Sequence, residues 1–190
     1  MYKLRKQYRL LCCDYSSPGD YFVTICTKNR EMFFGNVVNG KMELSEAGKI
    51  AREMWLNIPK QFPNIKLGVF EIMPDHVHGI ISIIGVDPPG LDSIGRNLIN
   101  QIPTSKEIWK SRIKYNPMEM SSVSLGKIIR WYKGRVKFEI GKSYPKLNFA
   151  WQSRYHDRVI RNDVEYDAIR QYIIDNPKNW EKDRNKNLFL

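Results

Sequence analysis

One stretch limits the fold more than any other: Glu71-Ile-Met-Pro-Asp-His-Val-His-Gly-Ile-Ile-Ser82, an apolar, β-branched run that carries two of the chain's three histidines one residue apart. Such a composition is that of a strand, and Pro74-Asp75 just before the histidines marks a strand start or a bulge. Successive side chains of a strand point to opposite faces, so His76 and His78 share one face while Val77 enters the other layer. Two neutral imidazoles side by side are half of a divalent-metal site. Zinc, manganese, cobalt and nickel accept them readily, magnesium less so. The blander reading of a bare H-x-H pair is two strand histidines satisfied by their neighbours, and two basic rings on one buried face argue against it.

The surrounding chain alternates between strand and helix patterns. Residues 20–27 are β-branched and aromatic, and residues 33–44 read as a hairpin in which Asn39-Gly40 supplies the positive φ angles of a tight turn. Ser45 then looks like an N-cap, and Leu44, Ile50, Met54, Trp55 and Ile58 recur at helical spacing until Pro59. Residues 64–73 and 76–84 form two more strands, close enough in sequence to pair antiparallel. From 86 to 115 the periodicity fades into Pro-Pro-Gly, Ser and Asn, the mark of a long insertion. Ser124 opens a second helix with an apolar stripe of Leu125, Ile128, Ile129, Tyr132, Val136 and Ile140. Its other side carries Lys127, Arg130, Lys133, Arg135 and Lys137. Residues 155–160 make a last strand, a final helix runs from Asp163 to Asp175, and Asn176-Pro177 ends it before a charged tail, 177–190, that contains Trp180. The sum is one α+β domain over 1–190: a ferredoxin-like or RRM-like antiparallel sheet with helices packed on one face, preceded by a basic arm, 1–19.

Charge names the partner class. Thirty-one Lys and Arg against twenty Asp and Glu leave the 190-residue chain at +11, which points to a polyanion. No apolar run approaches the ~20 residues of a membrane-spanning helix, and the N-terminus has no long apolar signal core, so a cytoplasmic, nucleoid-associated protein is expected. Cys12, Cys13 and Cys26 do not make a disulfide framework, and Cys26 sits in a strand pattern as a small buried hydrophobe. No glycine loop for a nucleotide phosphate is present.

Met73-Pro-Asp-His-Val-His-Gly-Ile-Ile81 resembles the histidine-hydrophobic-histidine motif of small tyrosine transposases that move single-stranded insertion elements, and of the related REP-associated tyrosine transposases. The resemblance extends to Tyr21-Phe-Val-Thr-Ile-Cys-Thr-Lys-Asn-Arg30, to Leu125-Gly-Lys-Ile-Ile-Arg-Trp-Tyr-Lys-Gly-Arg135, and to Phe149-Ala-Trp-Gln-Ser-Arg-Tyr-His-Asp-Arg-Val-Ile-Arg161 with Asn176-Pro177. It implies a divalent metal, magnesium or manganese, on His76 and His78, and a tyrosine that nicks single-stranded or hairpin DNA and keeps it as a 5′-phosphotyrosine. It also implies a homodimer, with the tyrosine acting in cis or in trans.

By pattern alone Tyr132 is a core aromatic; the resemblance makes it the nucleophile, carried over the histidine pair by the basic helix. In the resembling enzymes a polar residue, often Gln, one turn after the tyrosine completes the metal site. Here that position is Val136, which cannot ligate. Glu139, Glu71 and His156 are the substitutes, although Glu71, five residues before His76, falls on the opposite face of an unbulged strand. Arg130, Lys133, Arg135, Arg154, Arg158 and Arg161 are candidate phosphate contacts, with Trp131, Trp151 and Tyr155 as stacking platforms. Two other functions use the same residues: a metal nuclease in which the histidines activate water, and a binding module without catalysis, which the paired histidines disfavour.

Overall fold

The computed structural model describes residues 17–84 and 123–185, with backbone alone for 182–185. Residues 1–16 of the basic arm, with Cys12 and Cys13, and the insertion over 86–115 lie outside the described residues. Among the described residues six strands and four α-helices follow one another: β1 (Gly19–Cys26), β2 (Gly35–Val38), β3 (Lys41–Leu44), α1 (Glu46–Leu56), α2 (Ile58–Gln61), β4 (Ile65–Met73), β5 (His76–Ile83), α3 (Leu125–Ser143), β6 (His156–Ile160) and α4 (Asp163–Asn185).

Four of the strands form one antiparallel sheet in the order β4-β5-β1-β6, the ferredoxin-like arrangement expected from the sequence. The remaining two, β2 and β3, pair as a separate hairpin whose turn uses Asn39 at φ 52 and Gly40 at φ 70. Helix starts follow the capping logic of the sequence. Ser45 Oγ accepts from Gly48 N at 3.1 Å and Ser124 Oγ from Lys127 N at 3.3 Å. Pro59 sits in the first turn of α2, where its missing N–H costs nothing, after α1 has ended at Leu56.

The two faces of the sheet bury different things. Val23 and Ile25 of β1 and Val77 and Ile81 of β5 face α1 and α3, and with Trp55, Phe34, Ile128, Ile129, Val136 and Ile140 they build the main core. Every apolar position expected on the α3 stripe is buried there. The opposite face holds a smaller cluster: Ile80, Ile160 and, from α4, Ile169 and Ile173. Two helices therefore share one face as expected, and a third crosses the other.

That third helix is longer than its sequence suggests. α4 runs through Asn176-Pro177 to Asn185, so Trp180 belongs to it and not to a tail. A helix-interior proline removes one hydrogen bond, but packing of the buried Ile173, Asn176 and Pro177 offsets the loss.

Gly79 shows how closely the main core is packed on β5. Its missing side chain leaves room for the Trp55 ring, which stacks on Phe70 at 5.7 Å between centroids; a Cβ at Gly79 would drive into that ring. Gly79→Ala is expected to destabilise the fold by about 1–3 kcal/mol through overpacking. Urea denaturation reads this as a lowered midpoint at an unchanged m-value, and an unchanged midpoint would contradict the packing described.

Candidate functional site

The site begins with the turn Pro74-Asp75. It is a two-residue hairpin turn, not a bulge, and it sets Met73 opposite His76 and Glu71 opposite His78; the irregularity in β4 lies earlier, between Leu67 and Phe70. Counting straight through the turn puts Glu71 on the wrong face. In the folded hairpin it shares the face of His78. Pairing with β1 and β6 extends the row, so that Glu71, His78, Thr24 and His156 stand abreast across all four strands, with Met73, His76 and Cys26 in the next row.

Both histidines are buried, with ring centroids 4.3 Å apart. Each has its Nδ1 occupied by the protein. His76 Nδ1 donates to Asp75 Oδ1 at 2.6 Å, and Asp75 Oδ2 in turn takes Arg30 Nε at 2.9 Å. His78 Nδ1 lies 2.9 Å from the Thr24 hydroxyl. A carboxylate on Nδ1–H leaves Nε2 of His76 with its lone pair, which is how metal-binding histidines are ordinarily held, whereas the Thr24 hydroxyl can serve His78 Nδ1 as donor or acceptor according to the tautomer of that ring. Burial, reinforced by the charges of His76 and Arg30, pushes the His78 pKa well below the ordinary histidine value, keeping the ring neutral and able to ligate.

What faces this pair is α4, not α3. Tyr172 places its hydroxyl 3.4 Å from His78 Nε2, with ring centroids 5.4 Å apart, and its ring also meets Phe22 edge-on. Trp180 lies against His76 at 5.9 Å. Residues four apart on a helix lie above one another, so Asn176, buried between Tyr172 and Trp180, belongs to the stripe that covers the histidines. Tyr172 is 48% exposed, so a reactant can reach its ring from solvent.

Tyr132 is elsewhere. α3 packs on the other face of the sheet, where Tyr132 is fully buried, stands edge-on to Trp55 at 5.1 Å and donates its hydroxyl to Ala51 O at 3.1 Å. Burial raises its phenol pKa far above the ordinary range. The expectation that α3 lays this tyrosine over the histidines is therefore corrected: the apolar stripe carrying Tyr132 is pulled into the main core.

The three substitute ligands do not gather either. Glu139 is also on α3 and pairs with Arg135 at 2.7 Å. His156 shares the histidine face but is separated from His78 by β1, roughly 10 Å at ordinary strand spacing. Glu71 is half-buried on the edge strand, where desolvation raises its pKa against the pull of Arg52. Among the described residues no three His, Cys, Asp or Glu side chains cluster as a metal cage.

The cations divide in the same way. Arg158, opposite Phe22 in the β1–β6 register, is on the histidine face and pairs with Glu165; Arg154 and Arg161 are exposed beside it. Arg130 and Arg135 point to solvent from α3, on the far side of the sheet. Lys133 bonds the carbonyls of Gln152 (2.7 Å) and Ser153 (3.2 Å), and burial lowers its pKa. Trp151 packs on Phe34, Phe149 and Tyr132 with its indole N–H on Lys133 O, so it is core and not a platform. Trp131, half-buried, stands edge-on to Phe62, and Tyr155 is half-buried.

Tyr172 and Asn176 are the residues that sequence reasoning missed, although a signal was present. A tyrosine with a polar residue one turn later is the pattern expected of the nucleophile helix; Tyr132 with Val136 fails it, and Tyr172 with Asn176 meets it.

No family model matches the chain. An uncharacterized protein of Haemophilus influenzae is 35% identical over 181 residues, spanning 95% of this chain and 92% of that protein. The solved structure of a REP-associated tyrosine transposase bound to a REP hairpin superposes with a TM-score of 0.52 at 16% identity, over 100% of this chain and 89% of the other.

The neutral His78 leaves a mark on stability. Its unfolded form titrates near 6.5, so below about that pH the unfolded chain binds a proton that the folded chain refuses, and stability falls as pH drops toward the folded pKa. The slope from this residue is at most about 1.4 kcal/mol per pH unit. Urea titrations of the metal-free protein across that range should show a shallower acid loss for His78→Gln than for the wild type; parallel curves would mean that His78 takes up its proton in the fold.

Proposed function

Because the chain belongs to the same family as the Haemophilus influenzae protein and has the fold of a REP-associated tyrosine transposase, we propose that it is a metal-dependent tyrosine transposase that cuts and rejoins single-stranded or hairpin DNA through Tyr172. The observation that carries this reading is the Tyr172 hydroxyl 3.4 Å from His78 Nε2, on a ring open to solvent.

His76 and His78 would hold the divalent ion, magnesium or manganese, with the amide of Asn176 as the third ligand in place of the residue that Val136 cannot supply. When bound, the ion supplies positive charge to the non-bridging oxygens of the scissile phosphate. The protein does the rest. Tyr172 Oη attacks phosphorus as its proton leaves, the P–O3′ bond breaks, and the 3′ oxygen gains a proton. The 5′-phosphotyrosine conserves one phosphodiester bond, so a later 3′-hydroxyl can reverse the step without ATP. Arg158 on the histidine face, with the exposed Arg154 and Arg161 near it in sequence, would take backbone phosphates; Arg130 and Arg135 would serve DNA that passes around the α3 side. Two element ends require two such sites, so a two-fold dimer belongs to the proposal, with Tyr172 in cis or in trans.

Labelled single-stranded DNA, protein and Mn²⁺ should give an adduct that survives denaturation. Tyr172→Phe is expected to abolish the adduct while leaving DNA affinity within a few-fold. Tyr132→Phe should form it at near wild-type rates and lose about 1 kcal/mol of stability with the Ala51 hydrogen bond. An adduct that persists in Tyr172→Phe and disappears in Tyr132→Phe would sink the assignment. Cut DNA without any adduct identifies a hydrolytic nuclease, and neither product identifies a binding module.

The +11 charge generates a separate expectation: affinity for single-stranded DNA falls steeply between low and physiological salt, with a log–log slope of about −0.7 per phosphate neutralised. A flat salt response in filter binding would exclude the basic surface as the contact.

A further inference from the structure

Arg30 has no part in the reading above, yet it is wired into the site. β1 ends at Cys26, and the chain turns through Lys28–Arg30 with two consecutive non-glycine residues in the left-handed region, Asn29 at φ 55 and Arg30 at φ 58. Such a conformation costs an L-residue on the order of 1 kcal/mol, less for Asn, and persists only where surrounding bonds impose it. Here they do. Thr27 N donates to Asp75 O at 2.9 Å, the Thr27 hydroxyl lies between Asp75 O and Glu31 O, and Phe34 N donates to Pro74 O at 3.0 Å. The strained turn is laced to the Pro74-Asp75 turn that precedes the histidines.

The outcome is the position of one guanidinium. Its Nε donates to Asp75 Oδ2 at 2.9 Å and its Nη1 to Cys26 Sγ at 2.9 Å, while the other Asp75 oxygen takes His76 Nδ1. We infer that Arg30 is a positioning residue: by pinning one oxygen of Asp75 it fixes the other on His76 Nδ1–H, and so fixes the tautomer and ring orientation of His76 beside His78 and Trp180. An isolated, half-exposed ion pair would not need this. Such pairs contribute little to stability, and nothing in their energetics accounts for two left-handed residues in succession. The three-member chain to His76 accounts for both. This inference rests on the proposed site only in treating His76 Nε2 as the functional atom.

The test reads His76 directly. In metal-free protein labelled with ¹⁵N-histidine, two-bond ¹H–¹⁵N correlation should show wild-type His76 as a single Nδ1–H tautomer. Arg30→Gln should shift His76 toward a tautomer mixture, leave His78 unchanged on Thr24, and weaken Mn²⁺ binding by titration calorimetry roughly 10–100-fold. Arg30→Lys, which keeps the charge without the planar fork, should fall between the two. If Arg30→Gln does not fold, the same readings on Arg30→Lys decide. A wild-type His76 tautomer in the folded variant overturns the inference, whatever happens to Mn²⁺ binding. A wild type that fails to bind Mn²⁺ while its His76 tautomer responds to Arg30→Gln defeats the metal reading and upholds the role of Arg30.

Discussion

The alternation of side chains along β5 is the constraint from which both core and site descend. Val77 and Ile81 must reach α1 and α3, and Gly79 between them must stay small for Trp55 to settle on the strand. Fixing those residues on one face commits His76 and His78 to the other, with no freedom to slip, because a one-residue shift of register would expose the core and bury the histidines in it. The two-residue turn at Pro74-Asp75 transmits the same commitment to β4. α4 then completes the arrangement by covering a face that would otherwise leave Ile80 and two buried imidazoles open to water.

Local signals were legible wherever they were strictly periodic or stereochemical. The α3 stripe, the Ser45 and Ser124 caps, the Asn39-Gly40 turn and the strand carrying the histidines could all be read from residues, because each depends on neighbours within a few positions. What could not be read is which face of the sheet a helix chooses. Tyr132 and Tyr172 both lie on helices with apolar residues at helical spacing, and only tertiary packing decides that α3 joins the main core while α4 crosses the histidines. Pro177 misled for a related reason. It is a helix stop by local rule, overridden here by the burial of Ile173, Asn176 and Pro177 together.

Glu71 teaches a different point. Parity counted along the chain holds within a strand but is reset by a turn, and whether Pro74-Asp75 is a bulge or a hairpin changes which face every residue before it occupies. The same turn carries the Asp75 carboxylate that reaches back to His76. A sequence scan sees Asp-His as adjacent letters; the fold makes the first hold the second.

The separation of faces has a consequence for how such a chain can change over evolutionary time. Most of the interior lies between the sheet and α1 and α3, whereas the histidines, Tyr172 and Asn176 sit under a smaller cluster on the reverse side. Substitutions among the histidines, Tyr172 and Asn176 are therefore a lighter insult to folding than substitutions in the main core, and a descendant that lacks them can still fold and still carry a net positive charge. A chain built this way can change the residues of its histidine face and keep its shape, so lineages can retain the fold after that face has drifted.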